Sequence, residues 1–189
     1  MIRPAKISAV ILAGGESRRM GRDKATLEFR GQTLWQNQLA LLQELSPVEI
    51  FISSRTDPLW RPNDTIFVAD RPPACGPLGG VLAALEKTRG THLLVLAIDL
   101  PLMTTEYLQL LCQQVVEGRG VVPMIGDRAE PLVAIYPIAA ITDFETAIHG
   151  TDHSLQSVVT TLAQSAKVDL LPVVAEDKKL FRNLNSPND

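Results

Sequence analysis

Gly14, Gly15 and Gly21 stand among Arg18, Arg19, Arg22 and Lys24 in one short segment, Ala13-Gly14-Gly15-Glu16-Ser17-Arg18-Arg19-Met20-Gly21-Arg22-Asp23-Lys24. Glycines let backbone N–H groups approach and surround an anion, and long cationic side chains neutralise a chain of phosphates. The pairing suits a polyphosphate cradle. It is not a P-loop, because Gly21 is followed by Arg22-Asp23-Lys24 rather than by Lys and Ser or Thr, nor is it G-x-G-x-x-G. The bland alternative is a Gly-Gly turn beside a solvated cationic face.

Two acidic residues compete for attention. Asp99 follows the apolar run Leu93-Leu94-Val95-Leu96-Ala97-Ile98, a setting that suits a hard cation such as Mg²⁺, which takes one or two protein carboxylates plus substrate phosphate oxygens. An N-cap or a turn before Leu100-Pro101 would use the same residue. Asp70 follows Ile66-Phe67-Val68-Ala69, and Asp70-Arg71-Pro72-Pro73 also reads as a turn. Gly76-Pro77-Leu78-Gly79-Gly80 opens a helix that either meets a ligand or packs closely on a strand. His92, His149 and His153 have no metal-ligand spacing, and Cys75, Cys112, Trp35 and Trp60 read as structural.

The elements that must position these groups alternate between short apolar runs and helical patterns, as βαβ units do. Strands are expected at 7–12, 48–53, 66–69, 93–98 and 168–173. Helices are expected over 34–45, 77–85, 106–116, 139–149 and 154–166, with Thr104 and Ser154 as caps. Runs 120–123 and 132–136, separated by Gly126-Asp127-Arg128, read as two antiparallel strands appended to a parallel set. Ligands in such sheets bind at the carboxyl ends of strands, where the glycine-rich segment, Asp70 and Asp99 all fall.

With 189 residues, 18 basic against 21 acidic side chains and a net charge of −3, the chain has the size of one domain and lacks the field of a general nucleic-acid binder. Four of the basic residues nevertheless crowd between Arg18 and Lys24. Hydrophobic content of 46% supports a real core. No stretch reaches the roughly 20 apolar residues of a membrane span. The amino-terminal run is too short for a signal h-region. Two unpaired cysteines fit a reducing compartment, so a cytoplasmic home is expected.

The segment Leu12 to Lys24 resembles the L-A-G-G-x-S-x-R-M-G-x-D-K motif of the molybdenum cofactor guanylyltransferases, nucleotidyltransferases of the GT-A, Rossmann-like type. The likeness continues in order through Asp70 with Gly76 to Gly80, Asp99-Leu100-Pro101, Glu130-Pro131-Leu132-Val133-Ala134-Ile135-Tyr136 and Asn183-Leu184-Asn185-Ser186-Pro187. It implies a single α/β domain over 1–189, a three-layer α/β/α sandwich with a mostly parallel sheet. The amino-terminal part would bind GTP and the carboxyl-terminal part molybdopterin.

Carried onto this chain, the resemblance implies that Leu12, Ala13 and Gly14 line the guanine pocket and Gly15 faces the phosphates. Arg19 and Lys24 would neutralise the triphosphate, Asp70 would contact the nucleoside, Asp99 would hold Mg²⁺ and nucleotide, and Asn183 and Asn185 would face the pterin. Ser53-Ser54 stands where some members have Asn, and Asn188 where an acid is common. The implied reaction joins GMP from GTP to the molybdopterin phosphate, releasing pyrophosphate. Gly14, where related cytidylyltransferases tend to have Ala, leaves space for a purine. The rivals are transfer from CTP or to another phosphate, and a GTP-binding module without turnover. Molybdoenzyme maturation proteins are candidate partners, and a monomer is expected.

Overall fold

The computed structural model describes residues 5–14, 23–70 and 76–184. Strand β1 (Ile7–Leu12) is followed by a short hairpin, β2 (Glu28–Phe29) and β3 (Gln32–Thr33), and by helix α1 (Leu34–Glu44). Thr33 and Gln36 close a capping box at the start of α1, and Ser46, at φ 51°, ends it ahead of Pro47. Next come β4 (Ile50–Ser54), β5 (Ile66–Ala69), α2 (Pro77–Lys87), β6 (His92–Ala97) and α3 (Thr105–Gln114). The last third holds β7 (Gly120–Ile125), β8 (Arg128–Ala129), β9 (Val133–Pro137), α4 (Ile141–His149), α5 (Leu155–Gln164) and β10 (Val168–Pro172). Both expected caps form: Thr104 Oγ1 accepts from the Tyr107 amide and Ser154 Oγ from the Gln156 amide.

One sheet runs through the described residues in the order β10-β7-β9-β6-β1-β4-β5, with β8 paired to the end of β7. Alternation along the central strands divides the core between two faces. Val10, Leu12, Leu93 and Val95 pack under α2, α4 and α5, whereas Ala9, Ile11, Leu94 and Leu96 pack under α1 and α3. β6 is buried at every position, as a strand between two helical layers must be.

The appended antiparallel pair needs correction. β9 is the strand that reverses, and it lies inside the sheet between β6 and β7, antiparallel to both. β7 therefore points the same way as the parallel set, and β10 pairs with it in parallel. The two runs are antiparallel neighbours, as expected. They are not appended to the parallel set, because the second run returns alongside β6, where both of its faces can be buried. The fourth strand also begins at Ile50 rather than at residue 48, because Val48 uses its amide to reach the Ile7 carbonyl before the ladder starts. The hairpin β2–β3 and the 3₁₀ segments Lys24–Thr26 and Ala175–Phe181 carry no sequence periodicity and were not expected.

Candidate active site

Four parallel strands deliver their carboxyl ends to one edge in the spatial order β5, β4, β1, β6. Each contributes there: Asp70, Ser53, Gly14 and Asp99. The backbone ties them together. The Ala13 and Gly14 amides both donate to the Ser53 carbonyl, at 2.8 and 3.1 Å, and the Asp70 amide donates to the Ser54 carbonyl at 3.1 Å.

Asp70 is held by Ser53, which the sequence reading names only as a departure from the family's Asn. The Ser53 hydroxyl donates to Asp70 Oδ1 at 2.7 Å. Two glycines make room for that pair. A methyl group at Gly14 would collide with Asp70 Oδ2, and one at Gly80 would sit 2.5 Å from Ser53 Oγ and 3.2 Å from Asp70 Oδ1. Of the two readings of Gly76 to Gly80, close packing thus accounts for Gly80, where the first turn of α2 presses onto the ends of β4 and β5. Gly76 turns the chain into α2 at φ 61°, ahead of Pro77 at the first helical position.

Lys24 reaches Asp99, its Nζ donating to Asp99 Oδ2 at 3.2 Å. Both side chains are partly exposed, 27% and 19%. Lys24 opens a 3₁₀ turn capped by Asp23, whose Oδ1 accepts from the Ala25 amide and whose Oδ2 accepts from Trp60 Nε1 at 2.8 Å. Trp60 stacks on Trp35 with ring centroids 5.5 Å apart. The two tryptophans are structural, as expected, and what they support is the turn that aims Lys24.

The carboxyl-terminal segment arrives on the other side of Asp99. The Leu184 amide donates to the Asp99 carbonyl at 2.8 Å, Leu184 is buried, and Phe181 packs edge-on against Tyr107 at 5.3 Å. Exposed Asn183 is thereby placed in the lining of a cavity of about 370 Å³ that also includes Asp99, Arg128 and Glu130. Burial pushes the Glu130 carboxyl above its ordinary range, with nearby Arg128 opposing. These two residues had no individual role in the sequence reading, although Glu130 opens a recognised block.

Leu12, Ala13, Gly14, Lys24, Asp70, Asp99 and Asn183 thus share one edge of the sheet. Gly15, Arg18, Arg19, Gly21, Arg22, Cys75, Asn185 and Asn188 lie outside the described residues. Among the described residues no group of three or more His, Cys, Asp and Glu side chains could hold a metal by itself. None of their helices is long and apolar enough to cross a membrane.

Comparisons with known proteins agree with this layout. A probable molybdenum cofactor guanylyltransferase of Opitutus terrae is 35% identical over 186 residues, covering 97% of this chain and 92% of that protein. The molybdenum cofactor guanylyltransferase of Syntrophotalea carbinolica is 34% identical, covering 96% and 88%. Among solved structures, molybdopterin-guanine dinucleotide biosynthesis protein A from Archaeoglobus fulgidus shares the fold with a TM-score of 0.72 at 24% identity, over 96% of this chain and 93% of that one. The sequence model of the MobA-like NTP transferase domain spans residues 9–181, so the chain belongs to the MobA-like NTP transferase family.

Proposed function

We propose that the protein transfers GMP from GTP to the terminal phosphate of molybdopterin, forming the guanine dinucleotide and releasing pyrophosphate. The observation that carries this reading is the Lys24–Asp99 pair at the end of β6, with the Gly14–Ser53–Asp70 wall on one side and the Asn183 cavity on the other. A nucleotide and an acceptor could meet there. The relatives' names supply the identity of both substrates.

An oxygen of the acceptor phosphate attacks the α-phosphorus of GTP. A new P–O bond forms, the bond from the α-phosphorus to the bridging oxygen breaks, and pyrophosphate departs with that oxygen. The nucleophile is already ionised near neutral pH, so no general base is required. What the chain must supply is alignment and charge neutralisation. Lys24, with Arg19, neutralises the triphosphate. Asp70, fixed by Ser53, takes the nucleoside, with Leu12, Ala13 and Gly14 lining the base pocket and Gly15 facing the phosphates. Asn183 and Asn185 face the pterin.

Asp99 fits a hard divalent cation: it is a carboxylate at the rigid end of a buried strand, in the lining of the cavity, with Lys24 as its side-chain partner among the described residues. One carboxylate suffices where substrate phosphates complete the coordination, as is usual for Mg²⁺. Bound there, Mg²⁺ would polarise the α-phosphate and stabilise the charge that develops on it. Before substrate binds, Lys24 and Asp99 neutralise each other. An arriving triphosphate draws the ammonium away and frees the carboxylate.

Gly14 makes room for Asp70 as well as for a base. Because Asp70 fills the position of a side chain at residue 14, alanine there would displace the carboxylate that meets the nucleoside. The test is to incubate the protein with each of the four NTPs, Mg²⁺ and molybdopterin, and to quantify dinucleotide and pyrophosphate. Product from GTP alone supports the proposal. CTP as the better donor, or no product from any NTP, overturns it in favour of a sister cytidylyltransferase or a binding module.

A further inference from the structure

The acceptor side of the site is built on a short strand fastened by a side chain from a different element. β8 comprises Arg128 and Ala129, and it pairs with the end of β7 through Met124 opposite Ala129 and Ile125 opposite Arg128. The Glu130 amide extends the pairing by donating to the Pro123 carbonyl at 2.8 Å. Gln156, in the first turn of α5, fastens the free side of the strand: its Oε1 accepts from the Ala129 amide at 3.1 Å and its Nε2 donates to the Ala129 carbonyl at 2.9 Å. A side-chain amide thereby pairs with both polar groups of one backbone residue, as a neighbouring strand would.

Ala129 is buried and Arg128 beside it is exposed, and the successive residues Arg128, Ala129 and Glu130 all line the cavity beside Asp99. That lining holds two carboxylates, Asp99 and Glu130, which would repel a phosphate ester. Among the described residues of that lining, Arg128 is the side chain that stays cationic at any pH, with His153 as the other basic group. A guanidinium can present two parallel N–H donors to a phosphate and keeps its charge at any working pH.

We propose that Arg128 binds the phosphate monoester of the acceptor and that Gln156, by gripping Ala129, is the positioning residue that sets Arg128 at the cavity wall. The proposal rests on the two-substrate reading above. It divides the cations of the site between the substrates: Lys24 serves the nucleotide triphosphate, and Arg128 draws the acceptor's phosphate towards the α-phosphorus against the field of Asp99 and Glu130.

The experiment is steady-state kinetics with each substrate varied in turn, on wild type, Arg128→Ala, Arg128→Lys, Gln156→Leu and the Arg128→Ala/Gln156→Leu double variant, with melting temperature measured for each. Arg128→Ala should raise the KM for molybdopterin about tenfold or more while the KM for GTP stays within about twofold, because a charged hydrogen-bonded contact to one substrate is lost. Arg128→Lys should recover part of the loss. Gln156→Leu should raise the KM for molybdopterin about fivefold, and in the double variant it should add little, since coupled residues do not sum. Equal effects on both substrates, or full additivity in the double variant, would overturn the assignment. If wild type makes dinucleotide but no variant changes the KM for molybdopterin, this inference fails alone. If wild type makes no dinucleotide, the two-substrate reading falls and takes this one with it.

Discussion

The two edges of the central sheet use carboxylates in opposite ways. At the amino end, Glu49 is 8% exposed and fully answered: its Oε1 accepts from Ser8 Oγ at 2.8 Å and from the Arg89 amide at 2.7 Å, and its Oε2 accepts from Arg89 Nε at 2.5 Å. Burial works to raise its pKa, but the Arg89 amide, the Ser8 hydroxyl and the Arg89 guanidinium outweigh it and hold the carboxyl below the usual glutamate range. At the carboxyl end, Asp99 has Lys24 at 3.2 Å and Asp70 has Ser53 at 2.7 Å among the described residues. A cavity of about 460 Å³ opens at the amino end between α1 and α3, larger than the one of about 370 Å³ beside Asp99. Size therefore does not locate the chemistry. A carboxylate with every oxygen engaged is a piece of scaffold, whereas one with unspent acceptor capacity beside a partly exposed cation is equipped for a ligand.

The contrast breaks most sharply at Asp99. Asp99→Ala should lower kcat by about a thousandfold, the order expected when stabilisation of transition-state charge is removed, with the melting temperature within about 2 °C of wild type. Undiminished pyrophosphate release would remove Asp99 from the chemistry. Glu49→Ala should do the reverse. Leaving the Ser8 hydroxyl and the Arg89 amide without their acceptor should cost about 2–3 kcal/mol, or about 5–10 °C of melting temperature, while turnover per folded molecule is unchanged.

A smaller effect is expected at Ser53. Loss of one hydrogen bond to the Asp70 carboxylate in Ser53→Ala should raise the KM for GTP about fivefold, with kcat at saturating GTP preserved. A change in the KM for molybdopterin instead would place Ser53 on the wrong side of the site. The smallest contribution is in acid stability. Glu49 titrates lower in the folded chain than its ordinary value of 4.5, so its stabilisation is fully present above that pH and is lost as pH falls towards the folded-state value. Buried His92 is also depressed, from 6.5, chiefly by burial, and its share is lost as pH falls below that figure. Glu49→Gln should flatten the lower part of the urea-midpoint curve between about pH 5 and 3 and leave the part near pH 6 in place.

How much of this was legible before the coordinates depended on the range of the physics involved. β1, β5 and β6 were read closely because apolar runs ending in Gly14, Asp70 and Asp99 are local patterns. Their meeting at one edge follows from the parallel-sheet rule. The interior position of β9 was not legible, because strand order is a long-range outcome that two apolar runs and a turn do not encode. The contacts of Ser53 and Gln156 were not legible for the same reason: each reaches a partner distant in sequence, 17 residues from Ser53 to Asp70 and 27 from Gln156 to Ala129. Gly14 was assigned to ligand space alone, whereas the atom nearest its missing methyl belongs to Asp70.

The reversed strand has a consequence for how the molecule assembles. β6 lies between β1 and β9, yet β9 follows it only after α3, β7 and β8 have been made. Until residues 133–137 dock, the half of the sheet built on β1 and β6 carries an unpaired edge along the six residues of β6, five of them apolar, that are buried in the finished fold. Such an edge is a template for pairing with another chain. Closing it requires contacts far apart in sequence, a slow class of folding step. β9 therefore acts as a latch, and the folding chain is most open to aggregation in the interval before it closes.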